Sequence, residues 1–106
     1  MIDLINNIRH WGIRKNLIKK ENSYKQFAKV VEEVGEIGTA LNNNDKTELM
    51  DAIGDTVITL VLLAEQNNMS LKMCIEHAYN EIKDRTGKTE NGVFTKDSKN
   101  KKANSK

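Results

Sequence analysis

Two groups of carboxylates in this chain have the residue types and spacing to hold a hard cation. Glu32, Glu33 and Glu36 lie in the run Glu32-Glu33-Val34-Gly35-Glu36, and Glu48, Asp51 and Asp55 lie in a second run. Residues three and four apart are neighbours on a helix, so each set repeats along one side of its segment. Brought face to face, two such stripes would make an oxygen-rich pocket suited to a divalent cation, Mg²⁺ above all. A cation held there could grip a polyphosphate. Like charges at these spacings destabilise an isolated helix by about 0.2–0.5 kcal/mol per pair, so something must compensate them. A solvated face, with Lys29 and Lys46 as local partners, is one answer, since both acid sectors lie away from the main apolar stripe of their helices. Against it, the sector of Glu48, Asp51 and Asp55 carries no Lys or Arg and becomes leucine-lined towards Leu62. Acids grading into an apolar surface are better explained by a bound cation than by water.

Four helical segments must position these groups. The first runs from about Ile2 to Lys19, with Ile5, Ile8, Trp11 and Ile13 as an imperfect apolar stripe interrupted by Gly12. Asn22-Ser23 is an N-cap candidate for the second, about Tyr24 to Leu41, whose apolar face is Phe27, Val30, Val34, Ile37 and Leu41. Asn42 to Asp45 breaks the pattern and caps the third, about Lys46 to Asn67. A further break at Asn67 to Ser70, with Ser70 as N-cap, precedes the fourth, about Leu71 to Arg85. At about 100° per residue, Leu49, Ile53, Val57, Leu60 and Ala64 occupy one side of the third helix. Glu48, Asp51 and Asp55 share the other with Asn44, Ala52 and Thr59, and that side continues to Leu62, flanked by Ile58 and Leu63. Its C-terminal half is therefore apolar nearly all round, which predicts burial on more than one side and a partner subunit. The turn-rich segment from Thr86 to Phe94 has no helical period and is expected to form a short extended flap.

Composition agrees with a small all-α protein: 106 residues, no proline, 38% hydrophobic, 30% charged and only 5% aromatic. The single cysteine, Cys74, excludes a disulfide framework and a cysteine metal site. No leader pattern is visible, and the run from Val57 to Ala64 is far too short to span a bilayer, so a cytoplasmic protein without a membrane role is the expectation. The net charge of +2 hides an asymmetry, because residues 96–106 alone carry +4 and the rest −2. The expected organisation is one domain over 1–95 and a disordered lysine-rich tail over 96–106, with no specific nucleic-acid binding.

From about Gln26 to Lys96 the chain resembles the MazG-like all-α nucleoside triphosphate pyrophosphohydrolases, particularly the small single-domain forms common in phages. The resemblance rests on an ordered set: Gln26-x-x-Lys29, the Glu32 to Glu36 block, and Asp51-Ala52-Ile53-Gly54-Asp55 opening an apolar helix. Ala78 to Lys88 and Gly92-Val93-Phe94-Thr95-Lys96 complete it. It implies a four-helix bundle completed by dimerisation, as a homodimer or homotetramer. It also implies cleavage of a nucleoside triphosphate between its α- and β-phosphates, with Mg²⁺ as cofactor and Mn²⁺ as a possible substitute. By position Glu33 and Glu36 match the family's ExxE ligands, and Asp55 matches the aspartate of its ExxD motif. Ala52 stands where that motif has its glutamate, so Asp51 or, one turn earlier, Glu48 would supply the missing oxygen, Asp51 being the nearer.

On this reading Glu33, Glu36, Asp51 and Asp55 are the metal ligands. Glu32 or Glu48 accepts the proton of the attacking water. Lys83, Arg85 and Lys88 are candidates for the polyphosphate tail, although surface cations near a helix C-terminus need no such role, and Lys29 is a further substrate-binding candidate. Asn80 could contact sugar, phosphate or base, and Trp11 could stack on a base unless it packs in the core. Two other classes of function compete with the enzyme. One is a catalytically weak module that binds nucleotides, favoured by Ala52; the other is a helical interaction protein whose acids never meet metal.

Overall fold

Among the described residues, three of the four α-helices stop at an asparagine in left-handed backbone. The computed structural model describes residues 1–97 and places Asn16, Asn44 and Asn68 at φ of 61°, 53° and 60°. A short polar side chain tolerates this conformation, and the turn it makes satisfies the last carbonyls of the helix. After helix α1 (Ile2–Arg14), Leu17 N–H donates to the Gly12 carbonyl oxygen and Asn16 N–H to that of Ile13. After α2 (Ser23–Asn42), Asp45 and Asn44 donate in the same way to Ala40 and Leu41. Met69 and Asn68 donate likewise to Ala64 and Glu65 after α3 (Lys46–Gln66). The expected first helix, to Lys19, is therefore too long: Asn16 ends it, and the chain folds back through a 3₁₀ turn at Lys20–Asn22.

That connection is anchored on the end of α3. The Leu17 carbonyl oxygen accepts from Gln66 Nε2 at 3.0 Å, and Asn67 Nδ2 donates to Ser23 Oγ at 3.0 Å. Asn22 and Ser23, expected to cap α2, do other work. Asn22 Nδ2 reaches the Leu17 carbonyl oxygen and the Ser23 hydroxyl donates to that of Lys20, because the backbone enters α2 directly from the 3₁₀ turn. Asp45 does cap α3, its Oδ1 accepting from Glu48 N–H at 3.0 Å.

The chain divides into two compact units, Met1–Lys72 and the part from Met73 onward. In the first, α2 and α3 form an antiparallel hairpin, and α1 packs on α3. The face of α2 in the seam is Gln26, Val30, Glu33, Ile37 and Ala40, with Gln26 and Ala40 buried. The expected apolar face is only in part the packed one: Val30 and Ile37 belong to the seam, but Phe27 is 56% and Val34 50% exposed. On α3 the seam is Ala52, Thr59 and Leu62, all buried, so the side that carries the acids also faces α2. Ile53, on the side expected to be inward, is 50% exposed. Glu33 thus belongs to the packed stripe of its helix instead of lying away from it.

In the second part, α4 (Leu71–Ile82) begins just before the division and ends three residues before Arg85. The expected flap is a β-hairpin, β1 (Gly87–Glu90) paired antiparallel with β2 (Val93–Lys96). Asn91 and Gly92, at φ of 52° and 78°, make the two-residue turn whose twist matches paired strands. Lys96, counted above with the tail, closes β2 opposite Gly87. Asp97 N–H then donates to the Thr86 carbonyl oxygen. The rest of the expected tail, 98–106, lies outside the described residues. Among those described, no helix is long and apolar enough to cross a membrane.

Candidate functional site

The acids of α2 and α3 meet because the two helices share a seam that includes small residues. Ala40 and Ala52 contribute little bulk, and the buried Gln26 ties the helices together, its Nε2 donating to the Thr59 carbonyl oxygen at 3.1 Å. Glu36 of α2 lines one cavity of about 300 Å³ together with Glu48, Asp51, Ala52 and Asp55 of α3 and with Thr39. Asp55 also borders a second cavity of about 390 Å³, where Glu33, Lys29, Gln26 and Trp11 join it. One turn further from the bend, therefore, a cleft whose charged residues are all acids becomes one of mixed charge.

Glu32, Glu33 and Glu36 each offer a carboxylate oxygen within 4.8 Å of the others. Glu33 is half-buried, and loss of solvent raises its carboxyl above the ordinary 4.5. The charges of Glu36 and Asp55 push it further up, Lys29 pulls it back, and Glu32 adds to the rise. Asp55 acts on Glu33 from the other helix, which places the two stripes within electrostatic reach of one another. At the α3 N-terminus, the Glu48 N–H holds the Asp45 carboxyl below its usual value. The Asp45 hydrogen bond and charge in turn raise Glu48, with burial and Glu36 adding to it.

A hard divalent cation fits this donor set. The groups are carboxylate oxygens from two helices around open space, without thiolate or imidazole, which suits Mg²⁺ or Mn²⁺ better than a soft metal. Ala52 is buried at the seam, and Asp51 and Glu48 both line the cavity beside it, so either side chain is placed to add oxygen next to Asp55.

The remaining expected residues fall in different places. Lys29 pairs with Glu32 at 3.3 Å, one turn away on α2, and also lines the second cavity. Trp11 is 41% exposed and borders that cavity, so it is not a core residue. Asn80, Lys83, Arg85 and Lys88 belong to the second unit, where Lys88 pairs with Glu90 at 3.7 Å and the Nε of the half-buried Arg85 has no hydrogen-bond partner among the described residues. Sequence reasoning passed over Gln26 and Thr39. Gln26 stood in the motif Gln26-x-x-Lys29, seven residues before Glu33 and so on the same helix face, which was the signal available.

Sequence comparison places the chain among known proteins. The chain is 38% identical over 66 residues to an uncharacterized 18.2 kDa protein in the rep-hol intergenic region of Haemophilus phage HP1, a match covering 62% of this chain. It spans only 40% of that relative's length. No solved structure matches. The model of phosphoribosyl-ATP pyrophosphohydrolase matches residues 3–81, which include both acid stripes and the seam between them. Members of that family use a divalent metal. The chain therefore belongs to the phosphoribosyl-ATP pyrophosphohydrolase family, part of the MazG-like all-α nucleoside triphosphate pyrophosphohydrolase superfamily.

Proposed function

We propose that this chain is a nucleotide pyrophosphohydrolase, a small phage-type member of its superfamily, that splits nucleoside or deoxynucleoside triphosphates between the α- and β-phosphates. The products are the monophosphate and pyrophosphate, and the cofactor is Mg²⁺, with Mn²⁺ able to replace it. One observation carries the reading: Glu36 of α2 and Asp51 and Asp55 of α3 line a single cavity in a chain of this family.

Glu33, Glu36, Asp51 and Asp55 would hold the cation. When bound, it supplies charge neutralisation on the non-bridging phosphate oxygens and polarises the attacking water. The chain itself contributes position and proton transfer. Water adds its oxygen to one phosphorus of the α–β anhydride, and the bridging oxygen leaves with the other phosphoryl group. Glu48 takes the proton released, since Asp45 beside it already raises its proton affinity; Glu32, tied to Lys29, is the second candidate. Lys29 and Trp11 bind substrate in the adjoining cavity, the lysine by charge and the indole by stacking on the base. Asn80, Lys83, Arg85 and Lys88 are further candidates for the substrate, read from their residue types alone.

A homodimer or homotetramer is part of the proposal. Phe27, Val34 and Ile53 are large apolar groups left exposed on the hairpin, a surface that a second copy would cover. Sedimentation of the purified chain tests this directly.

The activity is tested by measuring pyrophosphate release from a panel of natural and modified triphosphates with Mg²⁺. Glu36→Gln should reduce turnover by about a hundredfold or more, on the scale of losing one preorganised electrostatic contact. Turnover surviving in that variant would disprove the assignment. Tight nucleotide binding without turnover in the native chain would make it a sequestering module instead.

A further inference from the structure

Three cavities of the first unit share walls in sequence. The acid-lined one, about 300 Å³, shares Asp55 with the second, about 390 Å³. The second shares Trp11 and Ile58 with a third of about 420 Å³, bounded by Leu4, Asn7, Ile8 and Arg14 of α1. Small-molecule pockets span about 300–1,000 Å³, and each of the three chambers falls within that range. Their chemistry also changes in order. The first is carboxylate, the second mixed, and the third is walled mainly by Leu4, Ile8, Trp11 and Ile58, with Asn7 and Arg14 as its polar residues.

We propose that the third chamber is a specificity subsite for an apolar substituent carried by the nucleobase. This rests on the nucleotide reading above and extends it from the triphosphate to the far side of the base. With the phosphates at the acids, the base lies in the second chamber against Trp11. A group projecting from the base beyond the indole enters the third. Trp11 borders both chambers and is 41% exposed, so it is available for stacking and also marks where the apolar space begins. Gly12 permits this placement. A Cβ there would lie 2.5 Å from Leu62 Cδ2 and 3.1 Å from Ile18 Cδ1, so any larger residue would have to displace those side-chain ends where α1 settles on α3. Arg14 forms no ion pair among the described residues, which leaves its guanidinium able to meet an acceptor at the end of the substituent.

The test compares ATP with N6-benzyl-ATP, and CTP with N4-benzyl-CTP, using the purified full chain and Mg²⁺. Pyrophosphate release should give the better benzylated substrate a kcat/KM about tenfold or more above its parent, the discrimination an apolar pocket offers for added apolar bulk. Leu4→Tyr, at a position 62% exposed, and Ile8→Phe should both narrow the chamber. Each should abolish that preference while leaving the parent nucleotide's kcat/KM within about twofold, because added bulk acts only on what enters the apolar space. Trp11 is the only tryptophan, so quenching of its fluorescence reads binding of both members of a pair whether or not turnover follows. Parents that bind or turn over as well as or better than their benzylated forms would overturn the subsite and leave the nucleotide reading standing. So would an equal loss of both in Leu4→Tyr. If no triphosphate of either kind is hydrolysed or quenches Trp11, the nucleotide reading falls and the subsite with it.

Discussion

Glu33 of α2 and Asp55 of α3 border the same cavity, and the Asp55 charge helps hold the Glu33 carboxyl above its ordinary value. The folded chain therefore brings negative charges together that the unfolded chain keeps apart. A cation bound there would relieve repulsion that the fold has already built.

The first prediction concerns pH. Glu33 and Glu48 both have folded pKa values above their unfolded 4.5, so the folded state binds more protons in the window above that pH. Their contribution to stability is fully present below pH 4.5 and is lost as pH rises through the folded values. Asp45, held below 3.8, acts in the opposite sense, and its contribution is lost as pH falls through its lowered value. Without divalent metal, Tm should fall as pH rises above about 4.5, and Glu33→Gln should flatten the slope. Added Mg²⁺ should raise Tm, and more so at higher pH, because it binds the ionised carboxylates. Thermal melts with and without Mg²⁺ measure both trends.

The second concerns the seam. Gln26 is a buried amide whose Nε2 donates across it to the Thr59 carbonyl oxygen. Gln26→Leu keeps most of the volume and loses this bond, so stability should fall by about 0.5–1.5 kcal/mol. Gln26→Ala also leaves a hole and should cost about 2–3 kcal/mol, within the usual range for large-to-small changes. Urea denaturation separates the two.

The third concerns the start of α3. Asp45→Ala removes the acceptor for Glu48 N–H and should cost about 1 kcal/mol, the ordinary worth of an N-cap. It also removes the leading causes of the raised Glu48 carboxyl. An NMR titration should then show the Glu48 pKa moving down towards its ordinary value.

The fourth concerns Gly12. Gly12→Val would drive a branched side chain into Leu62 and Ile18, and the overpacking should cost about 1–3 kcal/mol. Because α1 would shift away from α3, Trp11 emission should move to longer wavelength in the folded state.

Much of this molecule is legible locally. The helical periods, the breaks at Asn44 and Asn68, the Asp45 cap, the acidic stripes and the turn-rich end were all readable, because each depends on backbone preferences within a few residues. Asn16 carries the same left-handed stop, yet Leu17 and Ile18 continue the apolar pattern past it and hide the end of α1. Its bonds to Gly12 and Ile13 are as local as those after Ala40.

The sequence by itself determined which segments are helical and that their acids form stripes, since a period of 3.6 residues puts residues three and four apart side by side. Tertiary structure decided which side of each helix is inward. A helix apolar nearly all round has no preferred face of its own, and the C-terminal half of α3 is such a stretch. Here the choice fell to close approach at Ala40 and Ala52 and to the Gln26–Thr59 bond. That packing turned the acidic side of α3 towards α2, left Phe27 and Ile53 outside, and set Glu33 and Asp55 on one cleft.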